Sequence, residues 1–170
     1  MDFKSYIRDV PDFPKQGILF KDITPLLQDY KALTSAADAL IENLKKGSID
    51  KVVGMESRGF IFGPMLADRL EAGFVPVRKP GKLPYKTLRE TYDLEYAKDT
   101  LEIHVDGISK GDRVLIHDDV LATGGTALAT TKLVEKLGAI IVQCNFLVEL
   151  SFLNGREKIK PLEVKSLITY

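Results

Sequence analysis

Apolar positions along the chain recur at two spacings, and the alternation between them outlines a fold. Between 31 and 46, Leu33, Ala36, Ala37, Leu40, Ile41 and Leu44 fall at i, i+3, i+4, i+7, i+8 and i+11. That is the stripe of an amphipathic helix, with Gly47 as its stop. The run Lys51-Val52-Val53-Gly54-Met55 is short and apolar, which predicts a buried strand. A turn over 56–59 leads to a helix ending near Leu70, with Gly63, Leu66, Ala67 and Leu70 inward and Pro64 in its first turn. Strands are expected at 74–77, at 101–105, where apolar and polar residues alternate, and at 113–118. A helix over about 125–137 carries Ala129, Leu133, Val134 and Leu137 on one stripe, and strands near 140–150 and 162–169 follow. Strands alternating with helices predict an α/β fold, a mainly parallel sheet flanked by helices.

Two stretches break the pattern. Pro11, Pro14, Gly17 and Pro25 make the first thirty residues an irregular arm with a short helix at most. Residues 78–100 carry Gly81, two prolines, six basic residues and few packed apolars, which reads as a long polar loop or a floppy hairpin. In a compact domain such a length is usually a functional lid or disordered. A length of 170 residues suits one domain over 1–170, with an arm at 1–30 and a lid at 78–100.

Composition narrows the chemistry. With 24 basic and 24 acidic residues the net charge is zero, so no basic excess points to nucleic acid, and an anionic ligand must be held by a local site. The lone cysteine, Cys144, rules out a disulfide within the chain and fits a reducing compartment. It sits in the apolar run Ile140-Ile141-Val142-Gln143-Cys144-Asn145-Phe146, which favours an inert buried thiol over a nucleophile. No apolar stretch reaches signal-peptide or membrane-span length, so the expectation is a cytoplasmic protein without a membrane partner. No Cys/His cluster is available to hold zinc. His104 reads as a strand surface residue, and His117 as a satisfied core or cleft histidine rather than a ligand.

The strongest signal is Val114-Leu115-Ile116-His117-Asp118-Asp119-Val120-Leu121-Ala122-Thr123-Gly124-Gly125-Thr126-Ala127. An apolar strand, a turn of small residues and an amphipathic helix come in that order. A helix start leaves backbone N–H groups unpaired and partly positive. Gly124 and Gly125 let that backbone approach an anion, and the Thr123 and Thr126 hydroxyls add donors, which together make a phosphate cradle. No lysine follows the glycines as in a Walker loop, and the dinucleotide fingerprint is absent. Asp118 and Asp119 end the strand, where ligands of open α/β sheets bind. A few ångströms from the phosphate they suit vicinal hydroxyls, so the pair of features describes ribose 5-phosphate. The bland reading is a surface turn with side-chain capping.

This stretch resembles the signature of the type I phosphoribosyltransferases, which use 5-phosphoribosyl 1-diphosphate, and its Ala-Thr-Gly-Gly-Thr version is similar to that of the members acting on adenine. The resemblance extends over essentially the whole chain. Gly17-Ile18-Leu19-Phe20-Lys21-Asp22-Ile23-Thr24-Pro25 resembles the base-binding arm. Phe20 would offer an aromatic face, and the backbone of Leu19 and Lys21 would meet the adenine edge. Taken alone, Phe20 reads first as a core residue. Lys21 stands where arginine is more usual. Gly54-Met55-Glu56-Ser57-Arg58-Gly59-Phe60 resembles the diphosphate loop, although Arg58 alone would be an ordinary surface arginine. Val77-Arg78-Lys79-Pro80-Gly81-Lys82-Leu83-Pro84 resembles the start of the lid and Tyr92-Asp93-Leu94-Glu95-Tyr96 its catalytic end, with Ala97 in place of the usual glycine.

The resemblance implies transfer of the phosphoribosyl group to adenine, giving AMP and diphosphate. It implies that Ala122, Thr123, Gly124, Gly125 and Thr126 bind the 5′-phosphate and that Asp118 and Asp119 bind the ribose. It assigns Arg58, Lys79, Lys82 and Tyr96 to the diphosphate, and Glu95 with Arg58 to catalysis. It further implies Mg²⁺ carried by the substrate rather than by the protein alone, and a homodimer. One rival is a phosphoribosyltransferase for hypoxanthine, guanine, xanthine or orotate. Another is a non-catalytic sensor of the same sugar phosphate, which would need a DNA-reading module that this chain has no spare length or basic face to supply.

Overall fold

The computed structural model describes residues 1–93 and 98–170. After a 3₁₀ turn at Phe3–Tyr6, β1 (Arg8–Pro11) and β2 (Leu19–Asp22) form a small antiparallel hairpin. Helices α1 (Thr24–Gln28) and α2 (Tyr30–Leu40) follow, then β3 (Lys51–Met55), α3 (Gly59–Leu70) and β4 (Gly73–Val77). Next come β5 (Thr87–Asp93) and β6 (Lys98–His104), an antiparallel pair in register from Thr87 opposite His104 to Asp93 opposite Lys98. The chain continues through β7 (Arg113–Leu121), α4 (Gly125–Lys136), β8 (Ile140–Glu149), 3₁₀ turns at Ser151–Leu153 and Gly155–Ile159, and β9 (Val164–Thr169).

The central sheet is parallel throughout, in the order β4-β3-β7-β8-β9. Both of its faces are covered, which is why its strands read as apolar runs without polar alternation. On one face Val53, Val114, Ile116, Cys144 and Phe146 pack with Leu133 and Val134 of α4 and with Leu101 and Ile103 of β6. On the other, Val52, Leu115 and Leu147 pack with Leu26, Leu40, Phe62 and Leu66 of α1, α2 and α3. Neighbours such as Val52 and Val53 fall in opposite clusters, as the period-2 pleat requires. Phe74 is gripped by two glycines: a Cβ on Gly63 would lie 2.5 Å from its ring and one on Gly54 2.7 Å away. No helix of the described residues is long and apolar enough to cross a membrane.

Several boundaries differ from the sequence reading. The arm holds a β-hairpin that its prolines concealed; Gly17, with φ +86°, turns the chain and donates to Asp12 at 2.7 Å. Helix α2 stops at Leu40, because the Ile41 N–H closes a tight turn onto Asp38 at 3.3 Å. Ile41 keeps the helical spacing of apolar residues while packing from a turn. Pro64 lies inside α3, not in its first turn, on the exposed side and five residues past the Gly59 start. Strand β7 runs three residues past Asp118, to Leu121, because β8 continues pairing with it as far as Glu149. Of residues 78–100, the described part favours the hairpin alternative over a loop, through the antiparallel pairing of β5 and β6.

Cys144 is fully buried in β8, and burial pushes its thiol up to about 12. The native protein is therefore expected to resist thiol reagents at pH 8 and to react only on unfolding. Stoichiometric labelling within minutes in buffer would contradict that burial.

Candidate active site

Four segments distant in sequence meet at the carboxyl end of the central strands. They line a cleft of about 450 Å³ whose walls include Phe20 of the arm, Glu56 and Arg58 of the turn after β3, Lys79, Asp118 and Asp119 of β7, and Thr126. That volume suits a small polar ligand. A hollow of about 70 Å³ adjoins it, formed by Asp118, residues 120–127 and Phe146.

The hollow is the loop singled out in the sequence. Gly124 takes φ +78°, a conformation open to glycine, and caps α4 without a side-chain partner. The first N–H groups of α4 consequently remain available to an anion. Thr123 is exposed, and Thr126 is half-buried with its hydroxyl 3.2 Å from the Tyr92 hydroxyl. Tyr92 donates in turn to Asp99 at 3.0 Å, and Asp99 pairs with Lys79. The β5 and β6 hairpin is thus tied to the loop by a side-chain chain.

Asp118 and Asp119 form the floor. Arg58, at the N-cap of α3, brings Nε to 2.9 Å from Asp119 Oδ2, an ion pair without hydrogen-bond alignment, since that buried oxygen has no hydrogen-bond partner. The approach is close because α3 starts on Gly59: a Cβ there would lie 3.0 Å from Asp118 Oδ1. Burial holds the Asp118 carboxyl well above the ordinary carboxylate range; the neighbouring Asp119 charge pushes the same way, and Arg58 pulls against both. Burial raises Asp119 too, offset in part by Arg58.

Lys79 lines the cleft, whereas Lys82 reaches it only through Glu56, and each is tied to a carboxylate: Lys79 to Asp99 and Lys82 to Glu56. Glu56 is a partner that the sequence reading left without a role. Its buried carboxylate also accepts the Lys79 N–H at 2.9 Å and Arg78 Nε at 3.3 Å. Burial opposes its charge, but Lys82 and the Lys79 N–H outweigh that and hold its carboxyl low. The signal available in the sequence was an acid ending an apolar strand, with a basic segment after the next one. The Glu56 to Ser57 peptide is cis.

In the arm, Phe20 presents its ring to the cleft, braced edge-on by Phe13 with centroids 5.1 Å apart and with Arg58 5.2 Å from its centroid. It is half-buried, so the core alternative does not describe it. Leu19 and Lys21 flank it on β2. The Lys21 ammonium bonds Asp9 at 2.6 Å and lies 3.8 Å from the centre of the Tyr170 ring, so its side chain docks the arm on the residue that follows β9. Glu95 and Tyr96 lie outside the described residues. His117 differs from its reading as a satisfied histidine: Nδ1 meets Asn145 at 2.8 Å, but buried Nε2 has no partner. Burial lowers its pKa to about 4, so it is neutral at physiological pH. His104 is half-buried, its Nε2 accepting the Tyr85 N–H at 3.4 Å.

Comparison with known proteins agrees with this geometry. The phosphoribosyl transferase domain model matches residues 21–168. The adenine phosphoribosyltransferase of Christiangramia forsetii is 63% identical over 170 residues, covering 100% of this chain and 99% of that one. The crystal structure of adenine phosphoribosyltransferase from Rhodothermus marinus superposes with a TM-score of 0.94 at 57% identity, covering 99% and 96% of the two chains. That of the Saccharomyces cerevisiae enzyme, complexed with an imino-altritol bisphosphate and adenine, gives 0.92 at 44% identity, covering 98% and 96%. With a strand, a glycine-rich turn and a helix start beside a carboxylate pair, and matches along its length, the chain belongs to the phosphoribosyltransferase family, among its adenine phosphoribosyltransferases.

Proposed function

We propose that this protein transfers the 5-phosphoribosyl group from 5-phosphoribosyl 1-diphosphate to adenine, releasing AMP and diphosphate in purine salvage, with the whole chain acting as one domain. The observation that carries the reading is the single cleft in which an aromatic arm, a basic turn and a phosphate cradle converge. The yeast relative solved with a bisphosphate and adenine supports the same ligand classes.

In this reading the 5′-phosphate sits in the 122–126 loop, on the N–H groups of Ala122, Thr123, Gly124, Gly125 and Thr126 and the two threonine hydroxyls. Asp118 and Asp119 accept hydrogen bonds from the ribose hydroxyls. Adenine lies against Phe20, with the backbone of Leu19 and Lys21 at its edge. The diphosphate draws Arg58 from Asp119, Lys79 from Asp99 and Lys82 from Glu56, with Tyr96 as a further donor. Exchanging a carboxylate for a more highly charged diphosphate is favourable once the ligand is present. Carbon 1 loses diphosphate and gains the base nitrogen, and Glu95 handles the proton on the adenine ring.

Mg²⁺ belongs to the proposal as an ion carried by the substrate, where it would neutralise the diphosphate. The cleft offers it hard oxygen donors in Asp118 and Asp119, the buried Asp119 Oδ2 being without a hydrogen-bond partner. A homodimer and a cytoplasmic setting complete the proposal, the latter fitting a lone unpaired cysteine.

The test supplies the purified protein with 5-phosphoribosyl 1-diphosphate, Mg²⁺ and each base in turn. AMP from adenine, with little product from hypoxanthine, is expected, since a site built to bond one edge rejects its isostere by about 10⁴–10⁵. IMP or GMP as the main product would overturn the base assignment. No nucleotide from any base, with ribose 5-phosphate still bound, would favour a sensor.

A further inference from the structure

The phosphate loop is braced from behind by a segment that the mechanism above does not use. Gly155 opens the 3₁₀ turn Gly155–Ile159 and is buried against the 122–126 loop. A Cβ on Gly155 would lie 2.1 Å from the Ala122 carbonyl oxygen and 2.9 Å from the Gly124 nitrogen. Reciprocally, a Cβ on Gly124 would lie 2.4 Å from the Gly155 carbonyl oxygen. Two glycine backbones therefore interlock where the loop takes its left-handed turn, and neither can carry a side chain unless backbone moves.

The segment bearing Gly155 is itself fixed. Arg156 donates to Glu149 through Nε at 3.0 Å and Nη2 at 2.6 Å, and to the Val164 carbonyl through Nη1 at 2.8 Å. Ser166 donates to the same Glu149 carboxylate at 2.6 Å. This clamp joins the ends of β8 and β9 to the turn, and Ile159 anchors the far end of the turn in the core. Arg156 is the first cause holding the Glu149 carboxyl below its usual range, so the pair is charged across neutral pH.

We infer that Gly155, held by the clamp of Arg156, Glu149 and Ser166, is a positioning residue that presets the backbone N–H groups of the 122–126 loop for the 5′-phosphate. The inference rests on the proposed phosphate role of that loop. Donors preset in this way need no reordering when the anion arrives. A displacement near 1 Å far from the chemistry can cost about 10²-fold. The brace acts on the phosphate end of the site and leaves the Phe20 arm alone.

The experiment compares wild type with Gly155→Ala and with Arg156→Lys, which keeps the charge but loses the two-pronged fork. Circular dichroism and thermal melts establish folding. Calorimetric titration with ribose 5-phosphate reads the loop directly, whether or not nucleotide is formed. In Gly155→Ala, affinity for ribose 5-phosphate and kcat/KM for 5-phosphoribosyl 1-diphosphate should fall by about 10²-fold, with the KM for adenine near wild type. Arg156→Lys should show the same pattern at roughly several-fold strength, as a looser brace, and decides the matter should Gly155→Ala not fold. Unchanged ribose 5-phosphate affinity in the folded variants would overturn the inference. So would an equal rise in KM for both substrates, which marks a general loss of structure. Absence of AMP synthesis by wild type, with the affinity differences intact, would fault the functional reading and leave the brace standing.

Discussion

Glu95→Gln should lower turnover by about 10²–10⁴-fold, the usual worth of a positioned proton-transfer group, while the melting temperature stays at the wild-type value. Glu95 lies outside the described residues, so the expectation rests on its neighbours. Three positions before it, Tyr92 contacts Thr126 of the 122–126 loop; four positions after it, Asp99 pairs with Lys79 at the cleft. Glutamine keeps the size and the polar head and removes the titratable proton. Steady-state rates at saturating substrates decide the matter: a variant as fast as wild type would remove Glu95 from the mechanism.

The second large effect sets function against stability. Asp118→Asn should raise the Tm of the free protein while raising the KM for 5-phosphoribosyl 1-diphosphate by about 10–100-fold, the worth of a hydrogen bond to a charged group. Burial lifts the Asp118 carboxyl well above its ordinary value, so the folded state holds its proton more tightly than the unfolded chain. Stability therefore declines as pH rises from the unfolded carboxylate value towards the raised folded one, and the cost grows over that range. A neutral asparagine removes that cost, and its carbonyl oxygen can still accept the Asp119 N–H that Asp118 now accepts at 2.9 Å. Each kcal/mol gained corresponds to about 2–4 °C in a chain of this size. Because other carboxylates such as Asp50, held near 2 beside Arg113, lose stability in acid, the quantity to compare is the difference between variant and wild type. That difference should be largest at pH 7.5 and shrink towards pH 4. Asp119→Asn should give no such gain, since it strips Arg58 of its counter-ion. A gain in Asp118→Asn that is flat with pH, or a loss, would contradict the carboxylate pair as a source of strain.

The parts of the site legible in the sequence are those whose chemistry is local. The 122–126 loop announces itself because a strand, two glycines and a helix start fall within fourteen residues, and backbone N–H groups need no partner from elsewhere. The parallel sheet was legible for the same reason, in the apolar runs at Lys51–Met55 and Ile140–Glu149. What stayed hidden depends on distant neighbours. Glu56 matters because parallel pairing of β3 with β4 delivers Arg78, Lys79 and Lys82 to its carboxylate. Gly155 matters because it meets Gly124 across thirty residues of chain, and a lone glycine after an asparagine reads as an ordinary turn. The end of α2 was misjudged because Ile41 and Leu44 keep the helical spacing while packing from a turn. Lys21, at a position where the resemblance makes arginine more usual, has its side chain in the contact between the arm and Tyr170.

If one cleft holds phosphate, ribose and base in a fixed order, a crystal structure with AMP will show it. The phosphate is expected within hydrogen-bond distance of the 122–126 backbone, the ribose hydroxyls on Asp118 and Asp119, and the adenine ring against Phe20. AMP bound with its phosphate at the turn after β3, or with its base away from the arm, would contradict it.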